Sequence, residues 1–405
     1  MIKNFIKRLG PGLLFAGAAI GVSHLVQSTK AGAGYGFGLL WALLAIHAAK
    51  YPFFQFAPRY TTATGENIVR GYRRLGKGFV IIYILLTVTT MFTIQAAVTM
   101  VTAGLAGYLF GYQDNVLLWS TVITLLSVVF LIAGRYAWLD RIMKLIILVL
   151  TLSSVAAVVS AAWNAGKYTG SVFSLPGNAA QVAFLIAFLG WMPAPLDVSV
   201  WQSLWAEQKQ KQIGTNFDTR QSIFDFNVGY AGTIVTGILF MALGALIMYG
   251  TGTPVAGKAG AFAKQLIEMY TSRLGEGFGI VIGIAALTTM ISTTLSALDA
   301  SPRALSEAFA TINGLPWLKN YRFWLLLLSA GTLLIIGYFV SGMGVMVKIA
   351  TTVSFLTAPF YAYANYRLIS SENTPAEWRL SPVMKIWSWS GMIFLVAFGL
   401  WYLVA

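Results

Sequence analysis

The chain has 405 residues, of which 58% are hydrophobic and only 10% are charged, against about 25% charge in an ordinary soluble domain. With a mean hydropathy of +0.73, this composition excludes a soluble enzyme and describes a polytopic membrane protein. The chain has no cysteine, which excludes disulfides, thiolate metal sites and cysteine nucleophiles. The start, MIKNFIKRLGPGLLFAG, has the basic and apolar regions of a signal peptide. No small-residue cleavage site follows, so it is read as a retained first transmembrane helix.

Eleven membrane spans are predicted, at about 10–29, 36–57, 79–109, 115–134, 141–163, 181–205, 227–249, 277–298, 321–341, 346–368 and 385–404. With the N-terminus inside, cytoplasmic segments hold 20 of the 27 Lys and Arg. The outer segments hold five: Lys30, Lys167, Lys258, Lys264 and Arg273. This skew satisfies the positive-inside rule and puts the C-terminus outside. The net charge of +14 therefore sets orientation and faces anionic lipid, and no nucleic-acid partner is expected.

In span one, GPGLLFAGAAIGVSHLVQS (Gly10 to Ser28) places small and polar residues at mid-membrane. Gly21 frees the backbone there, and a turn opened around Gly21 to Ser23 would expose carbonyls beside the His24 imidazole. The competing reading is close helix packing through Gly17 and Gly21. In span two, Lys50 is expected to snorkel to an interface, and His47 to be a helix-contact residue. In span six, FLIAFLGWMPAPLDVSVW (Phe184 to Trp201), Pro193 and Pro195 each delete a backbone donor, which predicts a break around Leu189 to Pro193. The carbonyls of Ala187, Phe188 and Leu189 would then end a half-helix whose negative pole favours a cation. Met192 offers a thioether or plain core packing. Asp197 is an acid well inside a span, where burial is expensive. It either faces a cavity, caps the second half-helix or pairs with a donor. In span ten, Thr351, Thr352, Ser354 and Thr357 form a polar stripe expected to join helices.

Freed backbone groups are tolerated at membrane depth only where they line a cavity or bind something. Interrupted helices in corresponding places of two halves mark the substrate site of a secondary transporter. Spans one to five and six to ten make two sets, about 10–163 and 181–368, with the span at about 385–404 as an addition. Five being odd, the second set is inverted. The expected fold is thus all-α, a LeuT-type five-plus-five inverted repeat of eleven transmembrane helices with helices 1 and 6 broken. No enzyme motif is present, no cofactor is expected, and a monomer in the lipid bilayer of the inner (cell) membrane is anticipated.

The segments GPGLLFAG (Gly10 to Gly17), AGAGYGFGLLW (Ala31 to Trp41), ATGENI (Ala63 to Ile68), WMPAP (Trp191 to Pro195) and APF (Ala358 to Phe360) resemble the Nramp family of divalent-metal transporters. The resemblance implies an ion site between helices 1 and 6 and alternating access. Carried over residue by residue, it places Gly21 and His24 where the family has its metal-binding Asp and Asn. Met192 stands at the family's Met, and Leu189 at the position that donates a carbonyl. The family's two histidines of helix 6 are Ala194 and Ser199, and span three has no Asp or Glu for a proton relay. The substrate-binding candidates are therefore Gly21, Ser23, His24, Leu189, Met192 and Asp197. His24, Met192 and the Leu189 carbonyl form the candidate metal set. That set has no carboxylate and suits a softer transition ion. The expected function is secondary transport of a small solute, a metal cation by resemblance, without proton coupling. A neutral or anionic solute is the alternative within transport, and a non-transporting sensor or scaffold the alternative outside it.

Overall fold

A computed structural model describes residues 10–134, 136–164, 170, 172–213, 218–338 and 342–404, with side chains 136–147, 164 and 213 left out. Lys3, Lys7, Arg8, Arg135 and Lys167 of the charge count lie outside these residues. All regular structure among the described residues is helical.

The chain opens with α1 (Pro11–Ala19) and, after a 46° bend, α2 (Ser23–Tyr35), whose first six residues are π-helical. The GPG sequence explains how α1 starts. Pro11 occupies the first turn, where no donor is needed. The backbone N–H groups of Gly10 and Gly12 donate to Asp225 Oδ1 and Oδ2 at 2.9 and 2.7 Å. The carboxylate thus meets the positive end of the helix. A Cβ on Gly12 would lie 2.1 Å from the Asp225 carbonyl oxygen, so this close approach requires glycine.

Next come α3 (Leu40–Thr64), α4 (Ile68–Leu75), α5 (Lys77–Phe110), α6 (Val116–Ile132) and α7 (Tyr136–Asn164). Gly65, in the left-handed region at φ +77°, ends α3. Asn67 Oδ1 then caps α4 through the N–H groups of Val69 and Arg70. The second half begins with α8 (Ala179–Trp191) and α9 (Val198–Ile213). It continues with α10 (Thr219–Met248), α11 (Ala259–Leu274), α12 (Gly279–Thr311), α13 (Tyr321–Tyr338) and α14 (Met343–Ser370), and α15 (Pro382–Val404) follows.

The broken elements lie in the interior. α1 packs on α10, α8 on α14, and α5 on α12. The outer helices turn apolar side chains outward, among them Leu126, Val129, Ile393 and Leu403, each more than 60% exposed. An apolar belt of this kind matches hydrocarbon surroundings. Six described helices, α5, α10, α12 with its preceding turn, α13, α14 and α15, are long and apolar enough to cross a membrane. Counting the bent pair α1–α2 as one span makes seven. Four predicted spans do not count. α6 and α8 are shorter than 18 residues, as is the described apolar part of α7, Leu148–Trp163, and α3 carries His47, Lys50, Gln55 and Arg59.

Candidate functional site

Helical runs end near both predicted interruptions, at α1 and at α8, and among the described residues only α1 and α2 form a bent pair that counts as one span. α1 stops at Ala19, and Ile20 leaves the helical region at ψ 82°. α8 stays helical through Trp191, and the irregular stretch is Met192 to Asp197, a few residues later than expected. Proline chemistry accounts for the shift. Pro193 and Pro195 lack the donors that would reach the Leu189 and Trp191 carbonyls, four residues earlier. Pro193 also forces Met192 into extended backbone, at φ −84° and ψ 124°. The residues before the prolines remain free to be helical.

The freed carbonyls have a partner from another helix. Lys50, at the middle of α3, is fully buried. Its Nζ donates to the carbonyl oxygens of Leu189, Gly190 and Ala194 at 2.9, 2.7 and 3.1 Å. The expectation that Lys50 snorkels is therefore corrected: from mid-helix its stem is too short to reach an interface, and the carbonyls replace water. The expectation that the Leu189 carbonyl is an open cation ligand is corrected with it. Asp197 is buried, and its Oδ1 has no hydrogen-bond partner among the described residues.

His24 is also fully engaged. Its Nε2 lies 3.0 Å from the Thr233 carbonyl of α10. A carbonyl only accepts, so Nε2 carries a proton. On the other side of the ring, Nδ1 sits 2.7 Å from Ser23 Oγ and 3.0 Å from the Ala19 carbonyl. Ser23 Oγ lies 2.6 Å from that same carbonyl, and its single proton goes either to the carbonyl or to Nδ1. The imidazole thus joins the first break to α10, with a protein group against each ring nitrogen. Met192 is fully buried, with Sδ 3.6 Å from Ser28 Oγ. Gly21 backs onto α12, where a Cβ would lie 2.6 Å from Thr293 Oγ1. His24, Met192 and the Leu189 carbonyl are thus not assembled as an open ligand set. Among the described residues, no three His, Asp or Glu side chains are grouped as a metal site.

Between the two breaks lies a small central cavity of about 30 Å³. Ala19, Val22, Ser23, Trp191, Ala194, Pro195 and Thr293 contribute to its wall. Of the six substrate-binding candidates, only Ser23 lines it. Two larger cavities, of about 520 and 210 Å³, open toward the end of α2 and the start of α8. Lys30 lines both and Lys348 the second, with no Asp or Glu in either wall. The polar stripe of α14 joins helices as expected. Trp191 Nε1 donates to Ser354 Oγ at 2.9 Å, and Gln27 Nε2 to Thr351 Oγ1 at 3.4 Å.

At the opposite end, charged side chains tie three helices together. Glu207 of α9 accepts from Asn67 Nδ2 and Lys211 Nζ, each at 2.7 Å, and pairs with Arg70 at 3.4 Å. Arg70 also pairs with Glu307 of α12 at 2.5 Å. The ATGENI segment thus supplies the junction between α3, α9 and α12.

The described helices form an all-helical bundle with a small cavity inside it, and the fold is that of solved LeuT-type transporters. The Eremococcus coleocola manganese transporter, in complex with an aromatic bis-isothiourea substituted compound, superposes with a TM-score of 0.70 at 14% identity. The match covers 96% of this chain and 85% of that one. MhsT in complex with L-phenylalanine superposes with a TM-score of 0.67 at 16% identity, over 98% of this chain and 97% of that one. In sequence, an uncharacterized protein of Pasteurella multocida is 34% identical over 403 residues, 98% of this chain and 91% of that protein. The model of the Nramp (natural resistance-associated macrophage protein-like) family matches residues 12–405. The chain belongs to the Nramp family.

Proposed function

We propose that this chain is a secondary transporter that carries a small solute across the inner membrane by alternating access, without proton coupling. The observation that carries this reading is the small cavity walled by residues from both the end of α1 and the end of α8. In this reading α1–α2 and α8–α9 are broken spans one and six of eleven. The repeats are 10–163 and 181–368, the span at 385–404 is additional, and the protein works as a monomer. Family membership and the likeness to a manganese transporter support a metal ion as cargo. Lack of proton coupling is supported by α5, which has no Asp or Glu, since a relay needs titratable groups along the path.

One observation favours a second cargo. The central wall is built of Ala, Val, Trp and Pro with two hydroxyls, and Lys30 and Lys348 line the approach without a carboxylate. Hard divalent ions require oxygen ligands, usually carboxylates. Such a lining suits a neutral or anionic solute, and the same fold holds L-phenylalanine in MhsT.

The test is uptake into liposomes containing a trapped pH dye, offering Mn²⁺, Zn²⁺ and Ca²⁺ beside neutral and anionic solutes of amino-acid size. Entry of a metal ion without acidification supports the first cargo, and entry of an organic solute alone supports the second. Uphill uptake driven by a proton gradient would overturn uncoupled transport, and no uptake of any solute would leave the scaffold reading.

The orientation has its own test, because the chain lacks cysteine. Asn178→Cys is expected to react with an impermeant thiol reagent outside intact cells, and Gln210→Cys only after permeabilisation. The reverse pattern would refute the proposed topology.

A further inference from the structure

We propose that the Lys50 ammonium is a built-in monovalent cation, occupying a carbonyl cradle that in its absence would need an external ion. The cradle is the end of a half-helix. Leu189 and Gly190 lie in the last turn of α8, where carbonyls have no intrahelical partner and the helix dipole is negative. Ala194 adds a third carbonyl from the irregular stretch. The three oxygens stand at 2.7–3.1 Å from one nitrogen, and an ammonium has three N–H donors to give. Every donor is used.

A buried cation is tolerated only with compensating partners, and the three carbonyl oxygens supply them directly. Asp197, three residues after Ala194, is buried as well. Neither Lys50 nor Asp197 lines the central cavity, so the pair shapes the second break from behind. Lys50 is therefore a positioning and specificity-determining residue. It holds Leu189, Gly190 and Ala194 in place, and it denies their carbonyls to any cation in transit.

This inference stands whatever the cargo is, because its readout is the folded state. Lys50→Ala deletes three carbons and the nitrogen, leaving room for n-propylammonium or for a small hydrated cation. Lys50→Met keeps the bulk and removes the charge, leaving no room. Thermal unfolding of the purified proteins is followed in choline chloride, NaCl, KCl and n-propylammonium chloride. The native chain is expected to show the same Tm in all four. Lys50→Ala should unfold several degrees lower in choline and regain at least half of the loss in n-propylammonium or Na⁺, in a saturable manner. Lys50→Met should lose stability and regain none of it.

Failure of every cation to recover Lys50→Ala, read as Tm or as yield of folded protein, overturns the proposal. So does a Lys50→Met protein as stable as the native chain. Either result would leave uptake by the native protein, and hence the transport reading, untouched.

Discussion

Gly190→Ala is expected to destabilise the protein by about 3 kcal/mol, the upper range for forcing extra atoms into a packed interior. It should also cut uptake in liposomes at least tenfold. A Cβ at residue 190 would lie 2.0 Å from the Thr351 carbonyl oxygen and 2.8 Å from its carbon. These are backbone atoms in the middle of α14, so no side-chain rotation relieves the clash. The helices must separate by roughly an ångström, and packed interiors yield little at that scale. Separation would act on two further contacts. Trp191 would be pulled from Ser354, and the Leu189 and Gly190 carbonyls would move off Lys50. Gly232→Ala in α10 is the control. No atom lies within 4 Å of the Cβ it would add, so helix propensity alone should stabilise it by about 0.5–1 kcal/mol. Denaturant unfolding of both variants decides the matter. A Gly190→Ala protein as stable as the native chain would show that α8 and α14 are not locked at this contact.

The contrast between the two glycines shows what a sequence can and cannot carry. Helical segments and their ends follow from local rules: apolar runs, Pro11 in a first turn, Asn67 and Asp218 as caps, Gly65 and Gly111 as stops. The end of α8 is legible for the same reason, since Pro193 and Pro195 each remove a donor, whereas the end of α1 is signalled only by Gly21 among small residues. Partners across the bundle are another matter. Lys50 lies 139 residues from Leu189 and Asp225 lies 213 from Gly12, and no periodicity records such pairs. An isolated lysine in a span reads as a snorkelling residue until its depth is known. His24 and Met192 stand beside the interruptions in the sequence, yet their burial and hydrogen bonds turn them toward Thr233 and Ser28. The Nramp resemblance itself was carried by glycines and prolines that build the scaffold.

Glu207→Gln is expected to raise the exposure of the central cavity to the cytoplasm about tenfold, a shift worth about 1.4 kcal/mol. Glu207 is 5% exposed and joins Asn67, Lys211 and Arg70, while Arg70 reaches on to Glu307. One carboxylate thus ties α9 to α4, and through Arg70 to the end of α12. A glutamine keeps the shape and loses the charge that holds Arg70 and Lys211. Exposed ion pairs contribute little, and Arg70 and Lys211 are partly exposed, but Glu207 itself is buried and serves three donors at once, so removing its charge leaves those donors poorly matched.

Ala194→Cys lines the central cavity and would be the sole thiol of the chain, so its labelling rate by a reagent offered from the cytoplasmic side reports opening. The acid dependence follows from the same contacts. Burial alone would raise the Glu207 carboxyl, but hydrogen bonds from Asn67 and Lys211 and the charge of Arg70 outweigh it and hold it below the usual carboxylate range. A depressed carboxyl contributes its stabilisation above the unfolded value and loses it as pH falls through the folded one. Because the thiolate is the reacting species, the labelling rate of Ala194→Cys is divided by that of a control thiol, Gln210→Cys, at the same pH; this ratio should stay flat between about pH 8 and 5 and rise only in stronger acid. Adding Glu207→Gln should raise the flat level and abolish most of the acid rise. Unchanged labelling in the double variant, or opening near neutral pH without it, would mean that the ion pairs at this end do not control access to the cavity.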